Sequence, residues 1–390
     1  MDPQIKQQLD TLAARIKGYP DLEAAVDQLE NQVKGLGLKL AAAHQRAYGP
    51  DGHYRGTFRN EQQARGFGTW FMARCAKQDW ALERLEKDFP EVHKDFTSSD
   101  AGNLLPEEYA STIVDLIQTY GVIERFALRV PMARDTQRYS KKSARGAAAP
   151  MDEGQSVSET KPTLVPKALT AKKWGYFIEV PNEVLEDAAV AIGEMVAMDI
   201  AEAFALASDQ AGFLGDGTSS YNSITGVLNA LITQAIVTAG GDAWSDYTIE
   251  TFAEAVGKLT PKAFQGSGPA WFMSSQFYWT TCVPLILGSG GVTAGEIEGQ
   301  RRQLLLGFPV EFTQVLPSAT AADQVSAVIG NLRAGVAFGD RRQITMKSSS
   351  DFGMDRDVLA MLGTRRFDIN VHGAGQGSSP EVIAAVKTAA

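Results

Sequence analysis

Residues 135–173 are built from Ser, Thr, Gly, Ala, Pro, Lys and Arg with almost no large apolar residue. A stretch that long and polar has nothing to bury, so within a compact domain it becomes a functional arm or stays unstructured. Apolar runs flank it at 126–130 and 174–180, and a strand on either side makes a long projecting hairpin the natural reading. Charge sharpens the picture. Residues 129–173 carry ten Lys/Arg and four Asp/Glu, whereas 174–257 carry thirteen Asp/Glu and no Lys or Arg. A basic arm that projects away cannot fold back onto its own acidic body. The split therefore points to pairing between copies, with two independently solvated surfaces as the alternative. Such charges steer and register an interface more than they tighten it.

After the arm, Asn182 is an N-cap, followed by Glu183, Glu186 and Asp187 at the positive end of the helix dipole. Leu185, Ala188, Ile192, Val196, Ile200 and Phe204 then recur at helical spacing, which predicts the longest helix of the chain's body. Gly215-Asp216-Gly217-Thr218 closes it with a tight turn. Beyond, short elements alternate: a helix near 248–259, a strand at 270–273, a helix near 275–287 and a glycine-rich loop at 288–300. Strands are expected at 309–315, 325–330, 335–338, 342–347 and 365–371, followed by a polar tail. The fold class is α+β.

The N-terminus has a different grammar. Ile5, Leu9, Leu12 and Ile16, then Leu22, Val26, Leu29, Val33, Leu36 and Leu40, are spaced four and three residues apart in alternation, the seam of a coiled coil. Pro20 breaks it into two helices. An intramolecular helical hairpin is the other reading. Phe67, Trp70, Phe71, Leu82, Leu85 and Phe89 predict one more amphipathic helix over 67–89, and 97–103 reads as a linker. Past the linker, Pro106-Glu107-Glu108 suits a helix start, with Ile113, Leu116 and Ile117 on its apolar face and an end near Gly121.

Composition excludes several classes of function. A formal charge of −9 is no electrostatic sleeve for nucleic acid. Two cysteines, Cys75 and Cys282, form no disulfide framework or zinc site and fit a reducing compartment. The polar Met1-Asp2-Pro3-Gln4 opening predicts no signal peptide, and 263–295, though free of Asp, Glu, Lys and Arg, is too broken by Pro and Gly to span a membrane. No nucleotide-binding, nucleophile-elbow, zincin or EF-hand motif occurs. Gly288-Ser-Gly290-Gly291 reads as a surface loop and Gly215-Asp216-Gly217 as a turn. Arg301-Arg302, Arg341-Arg342 and Arg365-Arg366 read as ion-pairing residues between subunits. His372 is given no role. A hydrolase built on Ser and His372 has no nucleophile motif behind it, so no cofactor, metal or catalytic residue is expected.

Four segments, in order, resemble the major capsid proteins of tailed bacteriophages with the HK97 fold. Gly102-Asn-Leu-Leu-Pro106-Glu-Glu-Tyr109 is similar to the family's N-arm entry. Lys172-Lys-Trp-Gly-Tyr-Phe-Ile-Glu-Val-Pro-Asn-Glu-Val-Leu-Glu-Asp187 resembles the strand leading into its long spine helix, and Gly215-Asp-Gly-Thr218 the turn after it. Leu306-Gly-Phe-Pro-Val310 and Phe338-Gly-Asp-Arg-Arg-Gln-Ile344 resemble later strands. The resemblance covers 101–371. It implies a helical, scaffolding-like delta module at 1–97, the N-arm and first P-domain elements at 98–134, and an E-loop at 135–175. The P-domain spine helix would occupy 176–215 and the A domain 216–340. P-domain return strands at 341–367 and an A-domain strand with a C-terminal tail at 368–390 complete the division.

The resemblance further implies a shell subunit forming pentamers and hexamers of an icosahedral head. That head would enclose double-stranded DNA without sequence specificity, with portal protein and a maturation protease as further partners and no membrane. Its location would be the virion, after assembly in the bacterial host cytoplasm. Lys141, Lys142 and Arg145 are expected to face acids of another copy, among them Glu183, Glu186 and Glu194. Some family members cross-link an E-loop lysine to an asparagine. Here Lys141, Lys142, Lys161 and Lys167 are available, but 348–362 holds Asp351, Asp355 and Asp357 and no asparagine, so covalent links are not expected. The alternative is an encapsulin-like compartment with enzyme cargo, a class that generally lacks so long an N-terminal module.

Overall fold

The long helix is there. Its apolar residues at steps of three and four wind into Ala189–Leu214, 26 residues or about 39 Å. A computed structural model describes residues 61–74, 79–90, 113, 117, 121–144, 163–181, 189–291, 293–297, 300–349, 352, 356, 358–375 and 379–390. The chain divides into two compact units, Met1–Arg65 and Gly66–Ala390. Of the first, the described part is the opening turn of helix α1 (Glu61–Arg74). The coiled-coil seam and the 97–103 linker lie outside the described residues. The single helix expected over 67–89 is described as two stretches, α1 and α2 (Asp79–Asp88), which bury Phe67, Phe71 and Leu85 completely.

Two sheets organise the larger unit. The first has four strands, in the order β1 (Leu128–Pro131), β11 (Val336–Ser349), β12 (Val358–Val371) and β4 (Lys172–Pro181). β1 runs parallel to β11 and the other neighbours are antiparallel. Where short strands at 335–338, 342–347 and 365–371 were expected, two 14-residue strands stand instead. Register shifts near Asp340 and Arg342 let β11 pass its charged pair without ending. One sheet face takes the long helix, α4. Gly363 on β12 faces Phe204 and Ile200 of that helix at van der Waals distance. Short helix α3 (Val122–Phe126) packs beside α4, whose Gly212 leaves room for Ile123. A Cβ at Gly212 would lie 2.7 Å from that side chain.

The second sheet has seven strands, in the order β5 (Ile236–Thr238), β13 (Ile383–Lys387), β10 (Val325–Gly330), β6 (Ala270–Met273), β9 (Phe308–Phe312), β8 (Gln300–Leu305) and β7 (Ala294–Ile297). Two expectations fail here. The tail read as polar contains β13, which is buried between β5 and β10. The loop at 288–300 contains β7 and the start of β8. Helix α5 (Ile249–Gly257) is capped by Thr248 and contributes Phe252 to an aromatic cluster with Tyr247, Trp271 and Phe277. The helix after β6 runs from Ser275 to Gly288 with one π-helical turn, Tyr278–Cys282, at its middle. One continuous apolar core joins both sheets, because Val336, Phe338, Phe367 and Ile369 belong to the same buried cluster as Trp271, Val328 and Ala384.

Candidate assembly surfaces

The polar arm is the antiparallel hairpin β2 (Thr136–Ala144) and β3 (Thr163–Thr170), paired from Thr136↔Thr170 to Ala144↔Thr163. Its base is fastened to the ends of β11 and β12. The Tyr139 hydroxyl bonds Asn370 Oδ1 at 3.0 Å and lies 3.3 Å from His372 Nδ1. The Thr170 amide donates to Asp368 Oδ2 at 2.6 Å, and the Met132 amide to the Asp340 carbonyl at 2.9 Å. Leu169 and Met132 pack on Ala337. Burial first, and the nearby Asp368 second, push the Tyr139 phenol up to about 12, so it remains a neutral donor at any physiological pH. His372, given no role from sequence, is thus part of this anchor. These bonds fasten the described strands of the hairpin to the four-stranded sheet.

The root also depends on a buried ion cluster. Arg365 sits on β12 between Gly363 and Phe367, on the inward parity of the strand, and its side chain has no exposure. Its guanidinium donates to Glu124 Oε1 at 2.5 Å, Glu124 Oε2 at 3.0 Å and Asp340 Oδ2 at 2.9 Å, while Arg129 adds a bond to Glu124 at 2.9 Å. Burial opposes the charge on Arg365. The carboxylates of Glu124 and Asp340 outweigh that cost and hold its pKa above the ordinary arginine value. Trp174, Phe367 and Phe338 stack alongside, with ring centroids 5.1 and 5.4 Å apart. The cluster ties α3, β1, β11 and β12 together at one point. Arg302, Arg341 and Arg366 likewise find carboxylates within the chain, at Glu311, Asp135 and Asp135. With Arg365, that gives four of the six arginines a carboxylate partner inside the chain, and the side chains of Arg301 and Arg342 lie outside the described residues.

The long helix carries the acids. Asp199 and Glu202, with Tyr176, Leu206, Asp209 and Phe312, line a cleft of 470 Å³ between α4 and the end of β9. Asp209 is buried and accepts from the amides of Val122 (3.0 Å) and Ile123 (2.8 Å), capping α3 from outside its own helix. Burial pushes its carboxyl up to about 6, against those two N–H bonds, which favour the ionised form. Among the expected contact residues, backbone register places Lys141 opposite Val165 and Lys142 opposite Leu164. Glu194 lies in the first third of α4. Arg145, Glu183 and Glu186 lie outside the described residues.

Among the described residues no group of three or more His, Cys, Asp or Glu could hold a metal ion. Cys282 is buried against Met273, and burial raises its thiol pKa far above that of a nucleophile. No helix among the described residues is long and apolar enough to cross a membrane. Asp216 caps its own turn by accepting from the Thr218 hydroxyl (2.7 Å) and amide (2.8 Å), which in that order lower its pKa, as the tight-turn reading of that segment requires.

The profile of the phage capsid family matches residues 101–374. No curated protein matches the chain. Among solved structures, the capsid of an empty GTA particle aligns with a TM-score of 0.53 at 17% identity, covering 70% of this chain and 90% of its own. A Microbacterium phage Oxtober96 structure aligns at 0.52 and 13% identity, covering 69% and 91%. One from Mycobacterium phage Bobi aligns at 0.51 and 20%, over the same shares. At such identities the likeness is one of fold, the α+β HK97-like capsid fold. A two-stranded hairpin, a sheet backed by one long helix and a second, larger sheet fill the span that the profile covers, and the chain belongs to the phage capsid family, as a structural rather than a catalytic protein.

Proposed function

We propose that this chain is the major shell subunit of a phage head, assembling into pentamers and hexamers of an icosahedral capsid around double-stranded DNA. The observation that carries the reading is the family match over 101–374, together with a basic hairpin fastened at its root to the four-stranded sheet. In this assignment the hairpin is the E-loop, laid across a neighbouring copy. The four-stranded sheet and α4 form the P domain, and the seven-stranded sheet forms the A domain around the capsomer axis. Lys141, Lys142 and Arg145 meet acids of the neighbour's long helix, Glu183, Glu186 and Glu194 among them. Residues 1–97 act as a scaffolding-like module that guides assembly. Portal protein and a maturation protease are the further partners, and the host cytoplasm is the place of assembly. Since 348–362 offers no asparagine, the shell is held by many modest contacts rather than covalent links.

One experiment with three arms tests this: electron microscopy of particles from the whole chain, from a chain lacking 1–97, and from K141E/K142E/R145E across salt concentrations. The whole chain should give uniform shells of genome-holding size. The truncation should give few or misshapen ones, and the charge reversal should impair assembly most at low salt, where screening is least. Small, nucleic-acid-free particles that retain a protein cargo would instead establish the encapsulin-like compartment.

A further inference from the structure

The cleft beside the long helix keeps its charges apart. Asp199, Glu202 and Asp209 line it from α4, with Leu206 between the last two. Steps of three and four residues put all four on one face of the helix. At about 1.5 Å per residue the acids spread over about 15 Å, and Glu202 stands about 10 Å from Asp209 along the axis. Residues 174–257 hold no Lys or Arg, so the helix supplies no counter-charge of its own. Among the described residues no cation pairs with Asp199 or Glu202. The cation facing Asp209, Arg125 of α3, is held by Glu311, and the acid facing it, Glu124, is held by Arg365 and Arg129. The cleft is left with an excess of three carboxylates.

Between those acids its walls are apolar. Leu206 is 41% exposed and Phe312, at the end of β9, 39%, while Tyr176 of β4 completes the lining. Such a channel selects by shape. A metal ion needs its oxygens within about 2.6 Å of one point, which carboxylates two helical turns apart do not provide. A single ammonium neutralises one end and leaves the other bare. A nucleic-acid backbone has the wrong sign. The cavity of 470 Å³ instead suits a thin, flexible cation with a charge at each end and methylene groups between, which would cover the exposed faces of Leu206 and Phe312.

We infer that this cleft binds a linear aliphatic polyamine, one ammonium at Asp199 and Glu202 and the other at Asp209. Length decides the member of the class. A triamine with three- and four-carbon spacers has nine single bonds between its end nitrogens and extends to about 11 Å, matching the span from Glu202 to Asp209. A four-carbon diamine reaches only about 6 Å. Asp209 adds a pH signature. Its carboxyl, pushed up to about 6 by burial, takes an ammonium only when ionised, so binding strengthens as the pH rises through that value and releases a proton below it.

Isothermal titration calorimetry of the full chain tests this with spermidine, putrescine and Mg²⁺ alone, at one ionic strength. Spermidine should bind at a single site, about tenfold or more tighter than putrescine or Mg²⁺, and its affinity should rise between about pH 5 and about pH 7. Asp199→Asn combined with Glu202→Gln should weaken it about tenfold or more at an unchanged melting temperature. The comparison of ligands on the wild-type chain stands even if that variant folds poorly. No heat from spermidine, an affinity that the two substitutions leave unchanged, or Mg²⁺ bound as tightly as spermidine would each overturn the inference. None of these results would touch the assembly reading.

Discussion

Replacing Arg365 by Met tests whether the buried ion cluster holds the fold or merely occupies it. Methionine is unbranched and flexible enough to pack between the Phe338 and Phe367 rings, which the guanidinium now faces at 5.6 and 5.7 Å. The charge balance is what changes. Glu124 loses two of its three bonds and keeps only Arg129, while its side chain remains wholly buried. Asp340 loses one bond, but its side chain is 27% exposed and can hydrate. Stranding one buried carboxylate costs about 3–5 kcal/mol, a large part of the roughly 5–15 kcal/mol that holds a domain together. Adding Glu124→Gln should restore most of the loss, because an amide tolerates burial beside Met and the released Arg129 is already partly in water. Urea unfolding of unassembled subunits, followed by intrinsic fluorescence, gives both numbers. A single variant within about 1 kcal/mol of wild type, or a double variant as unstable as the single, would refute the reasoning.

Two further outcomes follow from the packing of α3 on α4. Gly212→Ala, which in an exposed helix interior would gain about 1 kcal/mol, should here lose roughly 1–3 kcal/mol because its Cβ meets Ile123 at 2.7 Å; a gain in the urea midpoint would show that the helices can part at no cost. Asp209 titrates upward, to about 6, so the advantage of its protonated form is complete below pH 4 and is lost as the pH rises through 6. Asp209→Asn should therefore gain on wild type by up to about 3 kcal/mol between pH 4 and 7, and a difference that stays constant with pH would contradict the burial argument.

How far the sequence announced this fold depends on what interrupts each element. The strands at 270–273 and 325–330 are short, mostly apolar runs, Ser326 being the one polar residue in them, and are legible to the residue. The long helix was legible from its period. Charged pairs inside β11 and β12 make each look like shorter strands in the sequence, and only strand pairing shows how the register shifts carry β11 past its pair. Parity could have found Arg365. It stands in step with Leu359, Met361, Phe367 and Ile369, all inward, and so had to be buried with a partner. Its partner Glu124, 241 residues away, could not be read locally. Asp209 was equally hidden, since on a long helix nothing in the sequence says which neighbour ends against it. β13 was missed because the polar, glycine-rich approach at 373–380 hid five residues whose burial comes entirely from distant strands.

That late strand imposes an order on the molecule's birth. β13 lies between β5 and β10 and is the bridge by which β5 joins the sheet. Until residue 387 has been made, β10 keeps one edge unpaired and the core keeps a gap where Ile383, Ala384, Ala385 and Val386 belong. A nascent chain therefore cannot finish its larger sheet while it is still being elongated through that point. Chains broken off before 383 would enter the pool as unfinished sheets, not as subunits of slightly wrong shape. One five-residue strand thus decides whether the chain presents a finished sheet or an unpaired edge of β10.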